Sequence, residues 1–420
     1  MKLRHLGPGI LLAATSVGAS HILMSPEAGA RFGFDLVWLV IAVHVLKYPA
    51  FEFAPRYVAA RGESLLEAYA RAPGPRGWAL WLGLVDMTVQ AAGVLAALLG
   101  LTASFLSAAV GGPGLAGWSL VLALGLLALL RWGRYASLRG VNLVLMLLFS
   151  AGTAVAFVAA PPPLAAIPRM LTPSLPDGSI VLVAAILGFM PTSVAVSIWQ
   201  SLWALEQGRF RPGSARSPAR RRELLREGLI DLRLGYALSA VLAVAFVSLG
   251  ATLLQPRGLV PEGPAVAVTL SQIYTGVLGE WMRPVFLGTA FLALLTTCYT
   301  SMDGFPRTFV AVLQVLRGDR ATQGGSQRAY WIFLLVVTFG GMALLAAVPD
   351  PAVVVKIVGA VGLLLSPVYF ALNLWAATRL VDDPALRPGK LTVALALAGI
   401  AMMVGTVVLL LWTTLAGPSL

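Results

Sequence analysis

GPGILLAATSVGASHILMSPEAGARFG, residues 7–33, is an apolar stretch that small and polar residues interrupt at Thr15, Ser16, Gly18, Ser20 and His21. A second stretch, IVLVAAILGFMPTSVAVSIWQSLWAL at 180–205, is interrupted at Gly188 and at 190–193. Gly and Pro free backbone groups that hydrocarbon cannot satisfy, so such breaks are tolerated only beside protein or a water-filled cavity. Two broken helices in corresponding halves of a chain are typical of a transporter's binding site near the bilayer midplane. We therefore interpret the two breaks as a substrate site.

The composition indicates a membrane protein. Of the 420 residues, 58% are hydrophobic and only 11% are charged, whereas soluble domains have roughly 25% charged residues. A helix of roughly 20 apolar residues spans a bilayer. By that measure we predict an all-α protein with eleven spans, at 8–31, 34–59, 76–106, 115–132, 139–161, 179–206, 229–254, 282–306, 329–347, 351–378 and 391–415.

The net charge of +12 reflects topology and does not indicate a nucleic-acid partner. If the N-terminus is cytoplasmic, 24 of the 30 lysines and arginines lie on the cytoplasmic side. Cytoplasmic loops of membrane proteins carry such an excess of positive charge. We predict a multi-pass protein of the cell (inner) membrane with the N-terminus inside, the C-terminus outside, and membrane lipid as its surroundings.

The order of the spans suggests an internal repeat within a single transmembrane domain, 1–420. Spans one to five (1–161) and six to ten (179–378) each open with a broken helix. Because five is odd, the second group enters the membrane in the opposite orientation, which is the arithmetic of an inverted repeat. The segment 391–415 is then one extra helix.

Three of the charged residues inside the predicted spans are candidates for a functional role. Lys47 lies near the middle of span two, Asp86 lies in span three, and Lys356 lies near the start of span ten. An intramembrane charge is costly and faces a cavity or a partner. Lys356 could instead snorkel to the outer surface, and Asp86 could carry protons or form a structural hydrogen bond.

Several short motifs resemble the natural-resistance-associated macrophage protein (Nramp) family of divalent transition-metal transporters. They are Gly7-Pro8-Gly9, the run from Glu27 to Gly33, Met190-Pro191, and Asp350-Pro351 leading to Pro367. With spans of matching order, the resemblance covers nearly the whole chain. It implies a LeuT-type fold of five plus five helices in an inverted repeat, with one extra helix.

The same resemblance identifies departures at the metal site. The family's first break carries Asp-Pro-Gly-Asn, whose Asp and Asn bind metal, and those positions hold Gly18 and His21 here. The family's Met-Pro-His in span six reads Met190-Pro191-Thr192. The metal-binding carboxylate is thus expected to be missing, and we predict a divergent member of the family.

The residues at the breaks leave two kinds of substrate open. His21 and Met190 are candidate ligands for softer metal ions, although His21 could instead bond a freed carbonyl and Met190 could simply pack. The half-helix ends also suit a small neutral or zwitterionic organic solute. For either substrate the candidate binding residues are Ser16, Gly18, Ser20, His21, Met190, Thr192 and Ser193.

We therefore predict a transporter and not an enzyme. Because the motif GxxxxGK[ST] is absent from the sequence, transport would be secondary-active or facilitative, by alternating access around the breaks. We expect no cofactor beyond a transported divalent metal ion. The third class is a non-transporting membrane scaffold or sensor, which is disfavoured because a scaffold would not need two broken helices. The oligomeric state is left open.

Overall fold

The computed structural model describes residues 18–132, 148–206, 217–321 and 326–416, and within these ranges it contains helices and turns but no strand. The first part of the chain contains a π-helical turn, Ser20–Met24, followed by α1 (Ser25–Phe32), α2 (Val37–Arg61), α3 (Leu65–Ala70), α4 (Trp78–Val110), α5 (Gly114–Trp132), α6 (Leu148–Ala159) and α7 (Ile167–Leu171). The remaining helices are α8 (Ile180–Phe189), α9 (Val196–Glu206), α10 (Pro218–Leu249), α11 (Val266–Leu278), α12 (Met282–Leu316), α13 (Gln327–Ala347), α14 (Pro351–Arg379) and α15 (Lys390–Leu415).

Eight helices in the described ranges are long and apolar enough to span a bilayer: α2, α4, α5, α10 with its extension to Arg257, α12, α13, α14 and α15. A ninth span is possible if α6 and the segment Leu164–Leu171, bent by 104° from it, are taken together. The broken pair α8 and α9 accounts for the predicted sixth span. The all-helical membrane architecture is thus confirmed, whereas the total of eleven spans stays a prediction because residues 8–17 and 139–147 lie outside the described ranges.

Two helices extend beyond the predicted spans by ten residues or more. α10 begins at Pro218 instead of 229, and α12 continues to Leu316 instead of ending at 306. Hydropathy ends a predicted span where charged residues begin, but Arg, Glu and Leu are good helix formers and let the helix continue into water.

Small residues let the broken helices pack backbone to backbone. α8 lies along α14, where a Cβ on Gly188 would come within 1.9 Å of the Gly359 carbonyl oxygen. α1 meets the C-terminal end of α10 in the same way, since a Cβ on Gly29 would lie 2.0 Å from the Val247 carbonyl oxygen. Such close approaches are typical of helix pairs in membranes, where hydrophobic burial does not drive association.

The turn between α2 and α3 is held by two acidic side chains, the buried Glu67 and the half-buried Glu63. The side chain of Glu67 accepts hydrogen bonds from Ser64, which caps α3. Glu63 accepts hydrogen bonds from Arg71 at 2.6 Å and from Tyr57 at 2.9 Å. Burial by itself raises the pKa of Glu63, but the hydrogen bonds from Arg71 and Tyr57 outweigh it and leave that pKa below its ordinary value.

Candidate functional site

The two breaks lie side by side. The first consists of a bend at Gly18 followed by the π-helical turn, and the second is the irregular segment between α8 and α9. The hydroxyl of Ser20 donates to the carbonyl oxygen of Pro191 across the junction, at 3.5 Å. This adjacency is the arrangement that the sequence predicted. Ser16 lies outside the described residues.

The side chain of Lys47 ends at the second break. Its Nζ donates to the carbonyl oxygens of Leu187 at 2.7 Å, Gly188 at 3.0 Å and Met190 at 3.0 Å. We call these three oxygens the carbonyl cage. Lys47 is completely buried, and no ion pair found among the described residues includes it. The partner of this intramembrane charge is therefore backbone and not a carboxylate.

The local sequence explains why these carbonyls are free. In a continuous helix the Leu187 carbonyl would accept from the N–H of residue 191, but Pro191 has no N–H. The last carbonyls of any helix lack partners within it and form the negative end of its dipole. An ammonium group has three donors and a positive charge. Lys47 thus satisfies backbone groups that hydrocarbon would leave unpaired.

His21 belongs to a chain of buried hydrogen bonds that also contains Ser20, Ser239 and His44. His21 Nδ1 lies 3.0 Å from Ser20 Oγ, and Nε2 lies 3.1 Å from the carbonyl and 2.9 Å from the hydroxyl oxygen of Ser239. His44 Nε2 contacts the same hydroxyl at 3.1 Å, while its Nδ1 lies 2.8 Å from the Val40 carbonyl. Both ring nitrogens of His21 therefore have partners within the protein, and a metal ion would have to displace Ser20 or Ser239. The role of His21 as a ligand stays a prediction.

The other predicted residues at the breaks contribute backbone and hydroxyl groups. The Gly18 carbonyl accepts from the backbone N–H groups of His21 and Ile22. Met190 is buried, and Thr192 and Ser193 are half-buried beside it. Within the described ranges, no group of three or more His, Cys, Asp or Glu side chains comes together as a metal site. A metal ion at the junction would thus depend on carbonyls, Met190 and His21.

A cavity of about 50 Å³ lies next to the second break, and Asp86 lines it. Ser193 and Phe189 form its wall at the break, and the aromatic side chains of Trp199 and Phe305 pack edge to face at 4.9 Å beside it. We call it the Asp86 cavity. It connects Asp86, which the sequence singled out as an intramembrane charge, with Ser193, which the sequence placed in the substrate site.

The polar groups of the Asp86 cavity are few. Asp86 accepts a hydrogen bond from the Tyr369 hydroxyl at 2.8 Å. The side-chain amide of Gln90 is buried, and neither its oxygen nor its nitrogen forms a hydrogen bond with a described residue. No signal in the sequence marks Tyr369, because one tyrosine in an apolar span has no distinguishing pattern.

Lys356 forms an ion pair on the other side of the junction. Its Nζ lies 2.6 Å from Glu27 Oε1, and Arg31 Nε contacts the same oxygen at 2.8 Å. Arg31 also pairs with Glu262. Glu27 is completely buried and Lys356 is 15% exposed, so Lys356 does not reach the surface by snorkelling. This cluster of charges links α1 to α14, and we call it the Glu27 cluster.

Residues 9–413 match the model of the natural resistance-associated macrophage protein-like family, Nramp. The chain belongs to the Nramp family. The resemblance read from the sequence motifs is thereby confirmed, and with it the prediction of a membrane transporter.

Relatives are found among characterised and uncharacterised proteins. An uncharacterised protein of Pasteurella multocida is 28% identical over 359 residues, which cover 83% of this chain and 78% of that protein. The divalent metal cation transporter MntH of Chromohalobacter salexigens is 26% identical over 258 residues, or 60% of this chain and 57% of the transporter. MntH of Yersinia pestis is 30% identical over 192 residues, 44% of this chain and 45% of that protein.

Solved structures agree on the fold. The manganese transporter of Eremococcus coleocola, in complex with an aromatic bis-isothiourea compound, aligns with a TM-score of 0.70 and 16% identity over 96% of this chain and 85% of its own. The nucleobase-cation-symport-1 family transporter Mhp1 aligns with a TM-score of 0.58 and 14% identity over 98% and 93%. The predicted LeuT-type fold is therefore confirmed for this Nramp protein.

Proposed function

We propose that this Nramp protein is a secondary transporter that works by alternating access around the junction of its two breaks. The observation that carries the proposal is the contact between Ser20 and Pro191, which joins two interrupted helices within the membrane-spanning part of the chain. Transporters with inverted repeats bind their substrates at such junctions and expose them to each side by rocking one bundle against the other. In this proposal 1–161 and 179–378 are the two repeats, and 391–415 is the extra helix.

We propose a divalent metal ion as the first substrate class, because the MntH relatives are named as divalent metal cation transporters. Met190, His21 and carbonyl groups would bind it. Thioether and imidazole groups favour softer ions, while Mn²⁺ and Mg²⁺ prefer oxygen ligands such as carboxylates. If Gly18 replaces the family's Asp, as the motif comparison implies, the protein binds Mn²⁺ more weakly than its relatives do.

The second candidate is a small organic solute, and the Asp86 cavity favours it. One carboxylate, one amide without a protein partner and several aromatic rings line this space. A carboxylate and an aromatic face both attract an organic ammonium group. The remaining wall is largely apolar, as is usual for sites that bind organic molecules.

The proposed setting is the cell (inner) membrane, with the N-terminus inside and the C-terminus outside. The excess of Lys and Arg in alternate loops supports this orientation. Among the described loops, the segment between α2 and α4 would be cytoplasmic, and the Glu27 cluster would lie on the outer side of the junction.

Uptake by purified protein in liposomes tests the proposal. Mn²⁺, Cd²⁺ and Zn²⁺ would be compared with small alkylamines and amino acids. Met190→Ala should abolish metal uptake, and Asp86→Asn should abolish amine uptake. Met342→Ala is a matched control, because Met342 lies in α13, whose main contacts are with α4, α5 and α12. Folded wild-type protein that moves no member of the panel faster than protein-free liposomes would refute the transport proposal for these substrates.

A further inference from the structure

The carbonyl cage has the features of a cation-binding site. Three backbone oxygens converge on one point, at 2.7, 3.0 and 3.0 Å from a positively charged nitrogen. Backbone carbonyls arranged in this way replace the hydration shell of an ion in channels and transporters. The end of α8 adds the negative end of a helix dipole. The protein places its own ammonium group where a free cation would otherwise bind.

The two intramembrane lysines differ in their partners. Lys356 contacts the carboxylate of Glu27, so its charge is neutralised by a side chain. Lys47 contacts only backbone oxygens among the hydrogen bonds of the described residues, and it is completely buried. Its long, unbranched stem runs from α2 to the break, so the ammonium is tethered to one helix and bound to another.

We propose that Lys47 is an internal competitor of the transported cation. In the empty carrier its ammonium group donates hydrogen bonds to the carbonyls of Leu187, Gly188 and Met190, and it must move away before a metal ion binds there. That the competing cation is transported rests on the proposed function, whereas the competition for the carbonyl cage does not. Lys47 would thus determine selectivity together with the residues at positions 18 and 21.

The competition has a definite effect on affinity. When only a fraction of the protein is competent to bind, the apparent Kd rises by the inverse of that fraction. An ammonium that occupies the cage about nine-tenths of the time therefore raises the Kd for a metal ion about tenfold. Removing the ammonium should restore the intrinsic affinity.

Metal binding by purified protein in detergent tests whether Lys47 competes with a metal ion, and it does not require transport. Lys47→Met keeps a long apolar side chain and removes the charge. We expect Lys47→Met to bind Cd²⁺ or Mn²⁺ about tenfold more tightly than wild type. The matched control Lys356→Met, which removes the other intramembrane ammonium, should leave affinity unchanged. A Lys47→Met protein that binds the metal no more tightly than wild type would overturn the proposal.

A second variant decides the question if Lys47→Met does not fold. Lys47→Ala lacks a propylammonium group, so added n-propylammonium should refill the cage and raise the unfolding temperature. The neutral analogue n-propanol should not do so, and Lys356→Ala should not respond to n-propylammonium in this way. Cd²⁺ should compete with n-propylammonium for Lys47→Ala. Equal responses of the two Ala variants, or no competition by Cd²⁺, would contradict the proposal, while absence of uptake in liposomes would contradict only the proposed function.

Discussion

The close packing of α8 against α14 determines how strongly Gly188→Ala should destabilise the protein. A Cβ added at Gly188 lies 1.9 Å from the Gly359 carbonyl oxygen, although real Cβ atoms essentially never approach an atom within 3.0 Å. The helices must therefore separate locally by the difference between these distances, about 1.1 Å. Overpacking a well-packed interior costs roughly 1–3 kcal/mol. Because the clash here is with backbone and not with a mobile side chain, we expect Gly188→Ala to cost about 3 kcal/mol.

Two further glycines make this measurement a graded series. A Cβ at Gly359 reaches Ala185 at 3.0 Å, so Gly359→Ala should cost less than Gly188→Ala. A Cβ at Gly125 in α5 meets nothing within 4 Å, and Ala is favoured over Gly in a helix by about 1 kcal/mol. Gly125→Ala should therefore be neutral or stabilising. Equilibrium unfolding in detergent gives the three values.

Equal stability of Gly188→Ala and Gly125→Ala would refute the close packing of α8 against α14. Gly188→Ala should also affect the junction, since the carbonyls of Leu187 and Gly188 belong to the carbonyl cage. Separating α8 from α14 shifts these oxygens, so Gly188→Ala should alter cation binding more strongly than Gly359→Ala does.

Three other predictions address charges and the break. Glu27→Gln leaves Lys356 without its carboxylate and should lower the free energy of unfolding by about 3 kcal/mol or more. Adding Lys356→Met should recover part of that loss. Equilibrium unfolding measures both proteins, and equal stability of the single and the double variant would contradict the pairing. Gly18→Asp with His21→Asn should strengthen Mn²⁺ binding, which calorimetry would detect, and saturable micromolar uptake by wild type that Met190→Ala abolishes would show that no carboxylate is needed. The pKa of Glu63 is lowered in the folded protein, so its contribution to the free energy of unfolding is present above the unfolded pKa and is lost as the pH falls through the folded pKa. Glu63→Gln should therefore lose less stability than wild type when unfolding is measured from about pH 5 downward. The same pH dependence of stability in both proteins would contradict this prediction.

Much of the architecture follows from local sequence. Runs of apolar residues predicted the long helices, and Pro191 with the small residues around it predicted the second break. The first break was recognised in the same way from Gly18 and the polar residues beside it. These features are readable because hydrocarbon requires each helix to satisfy its own backbone, so every departure from a regular apolar run is visible in the sequence.

The partners at the site were not predictable in this way. Lys47 was recognised as an intramembrane charge, but its partners are backbone oxygens 140 to 143 residues away, which no side-chain pattern marks. The carboxylate of Glu27 lies 329 residues from Lys356. His21 was singled out, whereas its bond to Ser239 on α10 depends on how two distant helices pack. Tertiary packing decides such pairs, and a single sequence does not record it.

The ammonium group in the carbonyl cage also has an electrical consequence. Glu27 compensates the charge of Lys356, but the ion pairs of the described residues contain no such compensation for Lys47. A unit charge that crosses the whole membrane potential changes in energy by about 2.3 kcal/mol per 100 mV. If Lys47 moves a quarter of that distance when it leaves the cage, 100 mV changes the step by about 0.6 kcal/mol, or roughly threefold in its equilibrium. Flux in liposomes clamped by a potassium diffusion potential should therefore depend on voltage differently in wild type and in Lys47→Met, and identical voltage dependence would show that this charge stays in place throughout the cycle.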